Sequence, residues 1–433
     1  MKDLSRLREQ VKAAWAKLPP DVKAKLEPKI RAAHLHALAV RNKTVSAVAR
    51  PPHRELLMLH SLLNDDPDGL LAASAGGIYP PYVGPDGQVY YAGVKYDSTD
   101  FGWAYCLVAV VFTDQDTTPQ FTVGNVMPIP DNTTLAILGD WGGWNAPAQS
   151  VVAAAQSCDY LIHLGDVYYA GTNSDGGWLD PYESSHFIDV WPGAAGKSFA
   201  LNSNHDMYAN ATGYALTLGQ PTFAAQGGNC FALYNKAFRI VGLDTAYYAP
   251  DSSIENFPGY MIGSLGDPSG AQAQFLQQQI QQVTSGQTLI LLTHHNGLNQ
   301  DGSLPGPSDD GSLLWGQVTT ALKQLPAGAN QNVLWYWGHV HAGAVYASQT
   351  IPGGGPTINS RCCGHGCIPW GIATEMQTSN VLWFENTVVP SGPASNYFVN
   401  NGYAVLALNG TSLTETFHDQ IGNQAWPVPP KAG

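Results

Sequence analysis

The sequence predicts an α/β fold whose chemistry sits at one edge of a sheet. Three observations carry this reading. Short apolar runs alternate with helix-like segments, the arrangement that builds a sheet flanked by helices. Five of those runs end in a Gly- or Asn-marked turn that carries Asp, Asn or His. The first two, Leu135–Leu138 and Tyr160–Leu164, flank an Ala/Gln/Val-rich helical stretch, and each has an Asp just beyond its end, Asp140 and Asp166. Adjacent parallel strands would bring both carboxylates to one sheet edge, where open α/β sheets place their ligands. Two carboxylates that close repel unless a proton or a cation lies between them.

The chain has 433 residues, enough for one large catalytic domain with additions or for two domains. Charged residues make up 12%, against about 25% in an average protein, and the net charge is −13. That balance argues against a nucleic-acid partner, whose phosphates need a surplus of Lys and Arg. No run nears the ~18 apolar residues of a membrane span. Residues 1–18 lack the apolar stretch of a signal peptide. The expected compartment is cytoplasmic, with an exported mature form as the alternative.

Residues 1–78 read as a helical arm or cap. Leu4, Leu7, Val11, Ala14 and Leu18 keep helical spacing, and Pro20-Asp21 opens a second helix to about Ala39. Pro51-Pro52 starts a third, carrying Leu56, Leu57, Leu59 and Leu62. The arm is either a packing element or the surface of a homo-oligomer. Residues 79–130 read as a small β-rich segment with runs Gln88–Val94, Trp103–Thr113 and Gln120–Asn125, bounded by Pro128-Ile129-Pro130. Residues 131–433 form the expected catalytic domain. Its further predicted strands are Ser198–Leu201, Asn229–Leu233, Phe238–Leu243, Thr288–Thr293 and Asn332–Trp337, with more between Val381 and Phe417. Its further predicted helices are Tyr182–Val190, Ala271–Val283 and Ser312–Leu325.

The turns supply a mixed ligand set: Asp140, Asp166 with Tyr169, Asn204, His294, and the pair His339 and His341. Singly, each is weak, because Asp, Asn and Gly commonly serve as turn residues. As a set they suit metal ions, since carboxylates can bridge two cations, imidazole suits Zn and Fe, and Asn adds a neutral oxygen. His339 and His341 lie on one side of an extended segment. In order, the motifs GDWGG, GDVYY, SNHD, LLTH and GHVH resemble those of the calcineurin-like metallophosphoesterases, and within them the purple acid phosphatases. The resemblance spans Leu135–Tyr346 and departs from the family where Ser203 stands for the usual Gly.

This resemblance implies a four-layer α/β-β-α sandwich around two metal ions. By motif position, Asp140, Tyr169 and His341 hold the first ion and Asn204, His294 and His339 the second, with Asp166 bridging. Tyr169 is the discriminating ligand and Tyr168 its rival. A phenolate favours Fe(III), paired with divalent Fe, Mn or Zn. The implied reaction is hydrolysis of a small-molecule phosphate ester by metal-activated hydroxide. His205 is then the catalytic side chain, or else an orienting residue hydrogen-bonded by Asp206. His295 either faces substrate or backs the sheet.

The segment Arg361-Cys362-Cys363-Gly364-His365-Gly366-Cys367 has three readings: a structural zinc site, a disulfide to Cys367, or a loop over the metals. The last is preferred, and it presents His365 and Arg361 to the phosphate. Monoester, diester and triester substrates are not separable from these motifs. Scarce Lys and Arg, with Trp141, Trp144, Tyr168, Trp178 and Trp370 near the motifs, keep a diester or triester credible. A non-catalytic scaffold is the alternative from another class.

Overall fold

The structure, a computed structural model, describes residues 4–41, 54–65, 82–83, 89–90, 101–113, 117–173, 179–368, 373–388 and 399–427. Strands β1 (Tyr82–Val83) and β2 (Val89–Tyr90) pair with each other alone. The remaining strands are β3 (Val123–Pro128), β4 (Asn132–Leu138), β5 (Tyr160–His163), β6 (Ser198–Ala200), β7 (Cys230–Tyr234), β8 (Phe238–Leu243), β9 (Thr288–Thr293) and β10 (Asn332–Trp337). They continue with β11 (Gly343–Tyr346), β12 (Gln349–Thr350), β13 (Thr357–Cys363), β14 (Val381–Phe384), β15 (Gly402–Asn409), β16 (Ser412–Asp419) and β17 (Gln424–Trp426). One sheet runs β14-β11-β13-β10-β9-β8-β7-β3 with β12 beside β13, and the other β17-β16-β15-β4-β5-β6.

Side-chain alternation stacks these sheets. Leu135 and Ile137 of β4, Ile240 of β8, Ile290 and Leu292 of β9 and Tyr336 of β10 share one core between the sheets. Their neighbours Val241, Leu289, Leu291, Trp335 and Trp337 turn outward, beneath helices Ala271–Gln281 and Ser312–Leu322. Ala136, Leu138 and Leu161 turn to the opposite outer side, beneath helix Ala146–Ala155. The four layers are therefore helix, sheet, sheet, helix, the α/β-β-α sandwich that the motifs implied.

Two of the expected strands fall elsewhere. Trp103–Thr113 is helical, a 3₁₀ turn at Phe101–Ala104 leading into helix Tyr105–Phe112. An apolar run buried on most sides has no period with which to tell helix from strand. Here the run lies in one core with Leu7, Val11, Leu26, Leu56 and Leu59 of helices Leu4–Lys17, Pro20–Arg41 and Arg54–Leu63. The run at Gln120–Asn125 shifts to β3, which pairs in parallel with β7, so the sandwich begins before residue 130. Of Gln88–Val94, only Val89–Tyr90 lies within the described residues, and Trp178 and Trp370 lie outside them. Among the described residues no helix is long and apolar enough to cross a membrane.

Arg361 lies on β13 and Glu415 on β16, in opposite sheets. The Arg361 Nε and Nη2 groups both donate to the Glu415 carboxylate, and the guanidinium stacks over Trp426. This pair, about one-tenth exposed on each side, staples the two sheets together. Glu415→Ala would leave a nearly buried guanidinium unpaired and should cost about 3–5 kcal/mol, read as a lower urea midpoint. Joint replacement by Met at 361 and Leu at 415 should recover most of that loss; an equal loss in both variants would show that the charge pair is not what joins the sheets.

Candidate metal centre

β4 and β5 are parallel neighbours, and the turns beyond them are laddered as well. Asp140 N–H donates to the Gly165 carbonyl at 3.1 Å, Gly142 N–H to that of Asp166 at 3.1 Å, and Tyr168 N–H to that of Gly142 at 2.9 Å. Gly142 has to be glycine, because a Cβ there would lie 2.7 Å from the Asp166 carbonyl oxygen. In the other sheet, β9 and β10 are parallel neighbours, and Gly338 N–H donates to the His294 carbonyl. The two strand-end sets meet across the sandwich. Gly139 N–H donates to the Cys363 carbonyl at 3.2 Å, and His339 N–H to Asp140 Oδ1 at 3.0 Å. Asp140, Asp166, His339 and His341 all have left-handed backbone, φ 55°, 72°, 63° and 55°. Each such residue is strained by about 1–3 kcal/mol, a pattern typical of functional sites.

The side chains then converge. The Asn204 Oδ1 atom lies 2.8 Å from His294 Nε2 and 3.2 Å from His339 Nδ1. Asp166 Oδ1 is 3.3 Å from His294 Nε2, and Oδ2 is 3.5 Å from His341 Nε2. Burial lowers the His294 pKa, so the ring carries one proton, and Nδ1–H donates it to the Leu164 carbonyl at 2.9 Å. Nε2 therefore presents a lone pair to two oxygens. Asp166 Oδ1 has no hydrogen-bond partner and the residue is wholly buried. Burial works against the Asp166 charge, yet nearby His294 and His205 and the contact with His341 hold its carboxyl well below the usual range. Acceptors that face one another at these distances with no proton between them match the donor set of a cation site. Asp140, Asp166 and His294 form one group of closely spaced ligand atoms, and His294, His295 and His339 another.

The tyrosine assignment changes. Tyr168 places its hydroxyl at the site, donating to Asp166 Oδ2 at 3.0 Å and lying 2.9 Å from His341 Nε2. The Tyr169 ring instead packs edge-on to Trp103 and Tyr182 and fills the space beside Gly102. Burial, then the charges of Asp166 and Asp140, push the Tyr168 phenol well above its ordinary range.

His205 is buried and donates from Nδ1 to the Tyr169 carbonyl at 2.6 Å; its ring packs edge-on to Tyr168. Asp206 does not orient it. The Asp206 carboxyl takes a hydrogen bond from Ser203 Oγ at 2.5 Å and also meets the carboxyl of Glu183, itself bonded by Thr217. Ser203 is extended, φ −137°, and caps the short helix Asn204–Met207, so this position does not need the family's glycine. Glu183 has no motif or periodic signal in the sequence, and only the fold brings it behind the Ser203–Asp206 turn.

Of the three residues expected at the phosphate, Arg361 and His365 point elsewhere, while His295 lies beside His294 and His339 with its ring already engaged. Arg361 is committed to Glu415. His365 is buried over Gly343 and Gly402, where a Cβ on either would come within 2.6 Å of Nε2. His295 uses both nitrogens, accepting from the Thr245 hydroxyl at 2.8 Å and donating to the Tyr260 carbonyl at 2.8 Å. Cys362, Cys363 and Cys367 are free thiols that point into three different cores, so they share neither a metal nor a disulfide. The loop still serves the centre through its backbone. A Cβ at Gly364 would lie 2.2 Å from Asp140 Oδ2. Trp141 belongs to the core and donates from Nε1 to the Ala148 carbonyl.

No protein-family model matches the chain, and no curated protein does. Among solved structures it is similar to GAP50, described as the anchor in the inner membrane complex of Plasmodium, at 14% identity and TM-score 0.46, covering 68% of this chain and 87% of that one. It is similar to PhoD at 13% identity and TM-score 0.42, covering 71% and 73%. It is also similar to a conserved uncharacterised protein of Streptococcus pneumoniae, titled a predicted phosphoesterase, at 11% identity and TM-score 0.27, covering 69% and 97%. At these identities and scores the likeness bears on neither the site nor its chemistry.

Burial of the Glu183–Asp206 pair raises both carboxyls, Glu183 to about 7 from an ordinary 4.5. Between about pH 4.5 and 7 the folded chain then holds a proton that the unfolded chain releases, so stability falls as pH rises through that window. Glu183→Gln should flatten the fall, measured as Tm against pH in chelator-treated protein. An unchanged slope would remove Glu183 as its source.

Proposed function

We infer that this chain is a metal-dependent phosphoesterase whose centre is built from Asp140, Asp166, Asn204, His294, His339 and His341, with Tyr168 as the phenolic ligand in place of Tyr169. The observation that carries the reading is the convergence of these buried side chains from both sheets around Asp166 Oδ1, which has no hydrogen-bond partner, and His294 Nε2, whose ring has already given its proton to the Leu164 carbonyl. Asp166 suits a bridging position, since Oδ1 faces His294 while Oδ2 faces His341 and Tyr168. Cations held there would lower the pKa of water toward neutrality and take up charge on a phosphoryl group.

The protein's own groups then have distinct tasks. His205, with Nδ1–H fixed on the Tyr169 carbonyl, keeps Nε2 as the atom that holds or gives a proton at the leaving oxygen. The Leu164 carbonyl fixes the His294 tautomer, as ligating imidazoles require, and leaves Nε2 facing Asn204 Oδ1. Buried in this way, Tyr168 ionises only opposite a strongly charged cation. Ionised there, Tyr168 would call for Fe(III) at its side of the centre, with divalent Fe, Mn or Zn at the other.

Asp166→Asn should abolish ester hydrolysis and strip both ions, as counted by elemental analysis; retained metal and activity would sink the bridging assignment. In iron-loaded protein, Tyr168→Phe should remove any phenolate-to-iron absorption in the visible range, whereas Tyr169→Phe should keep it. The reverse pattern would restore Tyr169 as ligand.

A further inference from the structure

We propose that the loop Asp251–Gly263 makes this site selective for phosphodiesters with an apolar second substituent over dianionic monoesters, an inference that rests on the phosphoesterase reading above. Exposure at the centre is the starting point. Asp140, Asp166, Asn204, His205, His294, His339 and His341 are each no more than 6% exposed. Beside this cluster, Met261 and Tyr260 are half-buried rather than buried. The Asn204 Nδ2 group approaches Met261 Sδ at 3.7 Å, and the Tyr208 hydroxyl approaches the same sulfur at 4.0 Å. Tyr208 in turn packs between His205 and Tyr260. An ester reaching Asn204 and His205 from this side would pass the Met261 thioether and the Tyr260 ring, behind which Tyr208 is buried. Methionine adapts its shape to apolar groups, and aromatic faces add stacking.

The rim is held in place at several points. Met261 N–H donates to Asp251 Oδ2 at 3.2 Å, and the Tyr260 carbonyl accepts from His295. Glu255 ties the loop to Lys25 and Lys29 of helix Pro20–Arg41. Charge points the same way as shape. A monoester dianion brings a second negative charge that a buried site has to match with a cation. Among the described residues, Lys25 beside this loop is paired with Glu255 and His295 is engaged through both nitrogens. A diester carries one charge fewer and one organic group more, which is what this rim accommodates.

The test uses the full chain loaded with Fe, Mn or Zn and p-nitrophenyl esters that share one leaving group. The set is p-nitrophenyl phosphate, its methyl and phenyl diesters, and the diphenyl triester, each rate divided by its uncatalysed rate at neutral pH. The phenyl diester should exceed the methyl diester in kcat/KM by about tenfold, chiefly through KM, as an apolar contact of this size allows, and should exceed the monoester as well. Met261→Lys should cut the phenyl preference and raise monoester kcat/KM by about fivefold, the reach of a partly exposed charge. Met261→Gln, uncharged and of similar length, should cut the phenyl preference without helping the monoester. Thermal shifts should show diphenyl phosphate binding the wild type more tightly than inorganic phosphate. A wild-type preference for monoester or triester, or ester ratios that neither variant moves, would overturn the selectivity while leaving the phosphoesterase reading standing. No turnover of any ester would overturn both.

Discussion

The structure depends on a shortage of protons. Two carboxylates, an amide oxygen, a phenol and three imidazoles are packed within contact of one another, nearly out of reach of water. In His294 the single proton is already given to the Leu164 carbonyl. An arrangement of that kind is unfavourable unless positive charge joins it, because a buried acceptor without a partner loses its hydration and gains nothing in return. Backbone strain adds to the penalty, with four of the residues held left-handed. What the fold supplies is rigidity sufficient to hold this geometry.

That rigidity comes from the two sheets together. The carboxylates and Asn204 ride on the ends of β4, β5 and β6; the imidazoles ride on the ends of β9 and β10. Neither sheet holds the whole cluster, so these side chains meet only while the sheets stay in register with one another. The inter-sheet apolar core supplies most of the adhesion, and the Arg361–Glu415 pair fixes the orientation at one point. Backbone contact at the centre finishes the join, with Gly139 bonded to Cys363 and the His339 amide bonded to Asp140. Gly364 permits that closeness, since any side chain there would occupy the position of an Asp140 oxygen.

Most of the centre was legible because each ligand follows an apolar strand in a turn of recognisable composition. β8, β9 and β10 match their sequence ranges, and Asp140, Asp166, Asn204, His294, His339 and His341 meet as their motifs implied. What failed was whatever depended on the face a side chain takes. Tyr168 and Tyr169 are neighbours in one turn, and no count of spacing says which ring turns inward. Arg361 and His365 sit in a Gly- and Cys-rich stretch that suggested a phosphate loop. Yet β13 runs between its sheet neighbours and sends Arg361 to Glu415. The helix at Tyr105–Phe112 was misread as strand because burial erases the period on which such readings rest.

The turn Ser203–Asp206 shows how the outer layers reach the chemistry. Its Asn204 faces the imidazoles and its His205 faces Tyr168, while Ser203 and Asp206 face away. Behind it, Glu183 comes from the short helix Tyr182–His186 and Thr217 from helix Thr212–Leu218, neither of which carries a ligand. A carboxyl pair in that position has to retain a proton, since two buried anions in contact would drive the turn outward. Retaining it, the pair carries one negative charge in place of two on the reverse side of Asn204 and His205. A hydrophobic contact would be less directional, and an Arg there would place positive charge beside a centre meant for cations. The placement of the ligands therefore depends on residues that never touch them, and the sandwich is as much the support of the centre as its container.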